Sequence, residues 1–406
     1  MGDNGASGRL WYAVGLGAAI NLVVFAMATA CMPVLFSEIA DELGLSIVQV
    51  GTVWGVGSVG GIFSILTAGL LADRFGARRI LTVCCLLAGV FGALRGLSDS
   101  FTTLTITSLL FGLASEPVPV IVIKNVSLWF HERGLATAQG IIIACVGGGM
   151  MLGAMLSATV LSPLLGGWKH VMFFYGAISV LMGIIWFLTV PGPARSESPA
   201  EIRAPRQALS HVVRSRSVWL IAIGMMGFAG CNKGLIGYLP LYLRNIGWTA
   251  TAADGTLAAL SAAGTAAAVP LTLLSDKLGL RKAVLIPGLI TTVISVGLLS
   301  VVTGPAVWLL AILAGVFRDM IWAVSATMAV ETEGIGPVYA GTAVGIVHAL
   351  TRVGYTFAPP AGNSLVLIYE GLPFVFWAGL SVLAVIVFLF VKETGRGRRT
   401  NPAFAD

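Results

Sequence analysis

The chain has 406 residues, of which 57% are hydrophobic and only 10% charged, where a soluble chain carries about 25% charged residues. That much apolar surface has to face lipid, which excludes an ordinary soluble domain. The net charge of +6 sits in a few loops and forms no basic stripe, so no nucleic-acid partner is expected.

A membrane helix needs about 20 mainly apolar residues to cross a hydrocarbon core roughly 30 Å thick. In chain order the sequence offers twelve such runs, at 10–35, 47–71, 79–97, 101–128, 135–164 and 168–190, then 216–242, 251–274, 281–303, 305–331, 339–366 and 371–391. The first run is too long for a signal-peptide core and reads as the first span. Helices are expected throughout, because lipid offers no partner for open backbone groups. Cys31, Cys84, Cys85, Cys145 and Cys231 all fall in apolar stretches without metal-ligand spacing, and the four histidines are scattered. No metal, cofactor or catalytic constellation is expected, and the chain reads as a non-enzyme.

Between the sixth and seventh runs lies the one long polar segment, 191–217, rich in Pro, Ser and Arg. It divides the chain into an N-terminal six-helix bundle (1–190), a cytoplasmic linker (191–217) and a C-terminal six-helix bundle with a short cytoplasmic tail (218–406). With both termini cytoplasmic, nearly all loop cations fall inside, and only Lys169 and Arg244 fall outside. A multi-pass protein of a bacterial-type inner membrane, as a monomer, is expected.

The two parts repeat. GLLADRFGARR at 69–79 is echoed by LLSDKLGLRK at 273–282. An offset of 203 residues, half the chain length, pairs Asp73 with Asp276, Gly76 with Gly279 and Arg78 with Arg281. The same offset pairs Gly112 with Gly315, Glu116 with Asp319 and Phe173 with Phe376. A gap-free register over four spans implies a duplicated six-helix unit, the copies related by an axis along the membrane normal. A solute site is then expected between the repeats near the bilayer midplane.

On these residues the chain resembles the major facilitator superfamily. The resemblance rests on the 6+6 pattern, the linker and the motif of Gly69, Asp73, Arg74, Gly76, Arg78 and Arg79, with a weaker echo at Asp276, Gly279 and Arg281. It implies an all-α membrane protein of twelve transmembrane helices in two pseudo-symmetric bundles. It also implies that Asp73 belongs to a cytoplasmic latch that works with the transport cycle. Simple anchoring of topology is the alternative, since Gly76 permits a tight turn and the arginines hold the next helix at the surface. WFHERGLATA at 129–138 is a second trait of this kind, and its Arg133 is a candidate partner for Asp73.

Ionisable groups within spans cost about 2.5–3.5 kcal/mol each on insertion scales and are kept where they line a wet cavity or pair. The resemblance implies that spans one, four, seven and ten line such a cavity. Glu116 lies midway along span four, before Pro117 and Pro119, and Arg318 and Asp319 lie midway along span ten. Glu116 and Asp319 suit proton carriage. The alternative is a static pair of either carboxylate with Arg318. Lys233 follows Asn232 between Gly230 and Gly234 and is a candidate solute ligand. It alternatively pairs with Asp319 or reaches the outer surface. His348 and Arg352 share a face of span eleven by i, i+4 spacing. His348 is a candidate proton carrier or a packing histidine. Arg352 is a fork for a carboxylate or an ion-pair partner of Glu116 or Asp319. Lys124 and Arg95 are expected to snorkel, and Glu331 and Glu333 read as gate or surface residues.

Lys233, Arg318 and Arg352 outnumber Glu116 and Asp319, which favours a small anionic solute such as a carboxylate. The expected function is secondary transport of that solute by alternating access, with proton coupling or exchange. The alternative is a proton-coupled exporter of hydrophobic or cationic compounds. Such exporters in the superfamily carry a Gly-Pro step in span five. Here span five has Gly140, Gly147, Gly148, Gly149 and Gly153 but no such step.

Overall fold

A computed structural model describes residues 3–129, 135–190 and 205–395. The described chain is helical from end to end. Eleven helices among the described residues are long and apolar enough to cross a membrane. They are Leu10–Leu43, Ile47–Ala72, Ala77–Arg95, Phe101–Val126, Thr137–Leu165 and Trp168–Thr189, then Arg216–Asn245, Ala250–Leu278, Arg281–Leu298, Ala306–Glu331 and Leu372–Phe390. The eleventh expected span is the 29-residue helix Gly336–Ser364. It is as long as the others but less apolar, because His348, Arg352 and several threonines and glycines interrupt it. Among the described residues each of the twelve expected runs is helical, some helices running past the expected bounds, as Leu10–Leu43 does, and others stopping short, as Arg281–Leu298 does.

The 203-residue offset recurs in the geometry. The helix Ile47–Phe75 and the helix Ala250–Leu278 begin and end in the same register. Ser46 caps the first through its Oγ, which accepts the Gln49 N–H at 3.3 Å, while Gln49 Oε1 accepts the Ser46 N–H at 2.9 Å. Its counterpart Thr249 accepts the Ala252 N–H at 3.3 Å. These caps, reciprocal at Ser46 and one-way at Thr249, satisfy donors that a helix start leaves open. At the other end Gly76 (φ 91°) and Gly279 (φ 65°) take the left-handed backbone that the tight turn requires.

Small residues let the spans approach closely, as they do where lipid supplies no hydrophobic drive between helices. Gly89 on the third span lies against Gly176 on the sixth, and Gly149 and Gly153 on the fifth lie against Leu22 and Met27 on the first. Gly234 and Gly362 make room for the indole of Trp377, which donates to the Ala358 carbonyl at 2.9 Å. The first span contains a π-helical stretch, Asn21–Met27, and the fifth another, Ser157–Leu161.

The chain forms two compact units. One is Met1–Glu197 with Leu239–Ala258, and the other is Ser198–Tyr238 with Ala259–Asp406. The first buries Phe36, Trp168, Tyr175 and Trp186. The second closes over a core that includes Phe228, Leu285, Met320, Val324 and Phe388, with Val212 of the short helix Pro205–Val213 packed into it.

Candidate functional site

In the second unit the tenth span breaks at Phe317, between Ala306–Val316 and Arg318–Glu331. The break sets Arg318 and Asp319 at the start of a new helical segment, where a carboxylate in the first turn is favourable. Arg318 donates from Nε to Asp319 Oδ1 at 2.8 Å and from Nη2 to Oδ2 at 3.3 Å. The guanidinium is buried and the carboxylate partly exposed. Gly264 on the eighth span leaves the space they fill, since a Cβ there would lie 3.1 Å from Asp319 Oδ2. Of the three partners open to Asp319 from the sequence, Arg318, Lys233 and Arg352, the structure shows the pair with Arg318.

The other in-span groups of this unit gather around aromatic rings. Tyr355 has Lys233 Nζ at 5.6 Å from its ring centroid and Arg352 Cζ also at 5.6 Å, distances at which cation–π attraction acts. It also lies within electrostatic reach of Arg318. Trp322 stacks on His348, with centroids 6.0 Å apart and planes 7° apart, and meets Tyr355 at 6.1 Å. Phe228 closes the group edge-on to Trp322. Asn232 is buried, Lys233 and Arg352 are half-buried, and His348 is exposed. Lys233, Arg318, Asp319, His348 and Arg352 thus share one neighbourhood, on spans seven, ten and eleven.

Sequence reading missed Tyr355 and Trp322, though the signal was present. Tyr355 continues the His348–Arg352 face by one more turn, and Trp322 lies one turn beyond Arg318.

Glu116 belongs to the first unit. It stands where the fourth span breaks between Phe101–Ser115 and Val118–Trp129, its N–H donating to the Gly112 carbonyl at 3.1 Å. Pro117 and Pro119 explain this break. On the first span Asn21 is fully buried, and neither its Nδ2 nor its Oδ1 has a partner among the described residues.

The two loop motifs differ in their contacts. Lys124 donates to the Gly69 carbonyl at 3.1 Å, so it does not snorkel as expected but reaches sideways to the second span. Arg74 lies over Phe75, and Arg79 is exposed. Arg78 donates to the Phe187 carbonyl and covers the ring of that residue, closing the end of the sixth span. The side chain of Asp73 and all of Arg133 lie outside the described residues.

In the second loop Arg281 binds Asp276 and both oxygens of Glu331, at 2.8 and 3.1 Å. Glu393 accepts the backbone N–H groups of Arg281 and Lys282 at 2.8 and 3.1 Å. Glu331 is therefore a fixed partner of the motif and not a bare surface acid. Arg95 also departs from expectation. It is buried, lies 3.8 Å over the Phe111 ring and donates to the Ala28 carbonyl at 3.3 Å. That carbonyl lies beside the π-helical stretch of the first span, and the ring and carbonyl together replace the water a snorkelling arginine would have reached.

Among the described residues no group of three or more His, Cys, Asp or Glu is placed to hold a metal ion. The sequence profile of the Major Facilitator Superfamily matches residues 18–331 and 244–405. A probable nitrate/nitrite antiporter of Thermus thermophilus, NarK1, is 29% identical over 223 residues, 52% of this chain and 49% of that protein. The chain thus spans about half the length of such curated relatives. The 3-(3-hydroxy-phenyl)propionate transporter of Escherichia coli strain K12 is 22% identical over 397 residues, 96% of each chain. The crystal structure of the nucleoside transporter NupG superimposes with a TM-score of 0.79 at 14% identity, covering 93% of this chain and 99% of that one.

Proposed function

The chain belongs to the Major Facilitator Superfamily, and from that premise we propose that it is a secondary transporter moving a small organic anion, such as a carboxylate, by alternating access. Its solute-binding groups are Lys233, Arg318, Arg352 and Asn232. Glu116, Asp319 and His348 handle protons, for coupling or exchange. The membrane is of the inner-membrane type, with both termini on the cytoplasmic side. Asp73, Arg74, Arg78, Arg79 and Arg133, with Asp276 and Arg281, serve the gate at the two loop motifs, where Gly69, Gly76 and Gly279 shape the backbone.

The observation that carries this reading is the neighbourhood of Tyr355. There Lys233, Arg318 and Arg352 of the second unit gather about one ring, with Asp319 engaged by Arg318. Cations gathered inside a membrane protein can give a bound anion the counter-charge it needs away from water. Arg352 and Arg318 offer planar forks suited to a carboxylate, and Lys233 adds a point charge. The Arg318–Asp319 pair also supplies a route to coupling. A proton on Asp319 removes the charge that holds Arg318 and frees its fork for the solute. Two relatives named for anions, nitrate/nitrite and 3-(3-hydroxy-phenyl)propionate, agree with this solute class.

A melting screen of the purified protein tests the reading. A ligand that binds only the folded chain raises its melting temperature by mass action. Carboxylates should raise it, while sugars, neutral amino acids and cationic drugs should not. Stabilisation by cationic drugs alone would reverse the assignment in favour of an exporter.

A further inference from the structure

Far from the loop motifs, at the opposite ends of the spans, a second acid–base pair is built into the first unit. Asp254 lies near the start of Ala250–Leu278, and its side chain is 0% exposed. Arg244, in the last turn of Arg216–Asn245, grips both carboxylate oxygens through Nη2 at 2.8 and 2.7 Å. Its Nη1 donates to the carbonyl of Val34 on the first span at 2.6 Å. One guanidinium thus joins three helices, and Leu239–Ala258, although it follows the linker in sequence, belongs to the same compact unit as the first span.

Among the described residues, two charged groups act on Asp254. Arg244 comes from the seventh span, and Glu38 acts electrostatically from the first. Glu38 is itself fixed by Ser162, whose hydroxyl donates to Oε2 at 2.6 Å. Pulling Arg244 away would leave an ionised carboxylate enclosed beside a second acid, an arrangement that is strongly unfavourable. A neutral, protonated Asp254 carries no such cost and has little hold on the arginine.

We propose that Arg244 and Asp254 form a proton-operated clasp. Ionised Asp254 holds Arg244 against the Val34 carbonyl. Transfer of a proton from hydronium in the solvent to the Asp254 carboxylate leaves water, a neutral acid and an arginine that stays cationic and rehydrates. Leu239–Ala258 can then part from the first span and open this end of the chain. Asp254 is a proton-binding residue separate from Glu116, Asp319 and His348, and the clasp operates whatever the solute.

The test is cysteine accessibility in the full chain. The five native cysteines are replaced, and Ser37, next to the clasp on the first span, is changed to cysteine. Alkylation by a membrane-impermeant maleimide is followed from pH 5 to 9, with each rate divided by that of the unfolded chain at the same pH. With Arg244 and Asp254 intact, the normalised rate should rise several-fold as pH falls. Asp254→Asn should label fast at every pH. A rate independent of pH in the parent chain would overturn the clasp. So would slow labelling of a folded Asp254→Asn chain.

Discussion

Gly112 lies against the carbonyl of Gly57 so closely that a Cβ on it would come well within 3.0 Å of that oxygen. The counterpart pair, Gly315 and the Leu260 carbonyl, repeats the approach at the 203-residue offset. Each contact joins two spans through backbone, which cannot move aside as a flexible side chain can. Overpacking of this kind costs about 1–3 kcal/mol. Gly112→Ala and Gly315→Ala should therefore lower the melting temperature by similar amounts. A large loss in one and none in the other would contradict equivalent packing in the two repeats.

Arg281 joins Asp276, Glu331 and, through its backbone, Glu393. Its side chain is 11% exposed, while Asp276 is more than half exposed, so solvent screens part of the network. Arg281→Lys keeps the charge but loses the fork that holds both Glu331 oxygens. It should cost about 1 kcal/mol and Arg281→Ala about 1–3 kcal/mol in chemical or thermal melts. Equal stability of all three chains would show that the network holds nothing together.

Asn21 buries both ends of its amide without a partner among the described residues. Removing a buried polar group of this kind, with an apolar residue of similar size in its place, is neutral or stabilising. Asn21→Leu should raise the melting temperature. A fall of more than about 1 kcal/mol in stability would mean that the amide is bonded in the folded chain.

Lys124 ties the fourth span to the Gly69 carbonyl in the second. Lys124→Met keeps most of the apolar stem and removes the donor. It should slow the conformational cycle, read as a several-fold lower transport rate, with a change in melting temperature equivalent to about 1 kcal/mol or less. An unchanged rate would leave the contact as simple anchoring.

The spans and their repeat were legible because hydropathy reports depth in the bilayer and the 203-residue register survives in residues with backbone duties. Gly76 and Gly279 both take positive φ, and Ser46 and Thr249 both cap. Rotation about a helix axis was not legible. Arg95 reads as the end of a span, yet it turns inward over Phe111. Arg244 reads as a loop cation, yet the helix runs on to Asn245 and carries it to Asp254. Asp254 lies among alanines and threonines near the edge of a span, and no local sequence pattern marks it as enclosed. In the second unit the charged residues were legible one by one from their cost in lipid. Their meeting at Tyr355 was not, because it depends on how three helices face one another.

Uptake into proteoliposomes tests the proposed anion site most directly. Vesicles holding the parent chain under an imposed pH gradient should accumulate radiolabelled mono- or dicarboxylates. Arg352→Ala, with its melting temperature preserved, should cut uptake by about 30-fold or more, as loss of a charge partner for a bound anion implies. Undiminished carboxylate uptake by that variant would contradict the site.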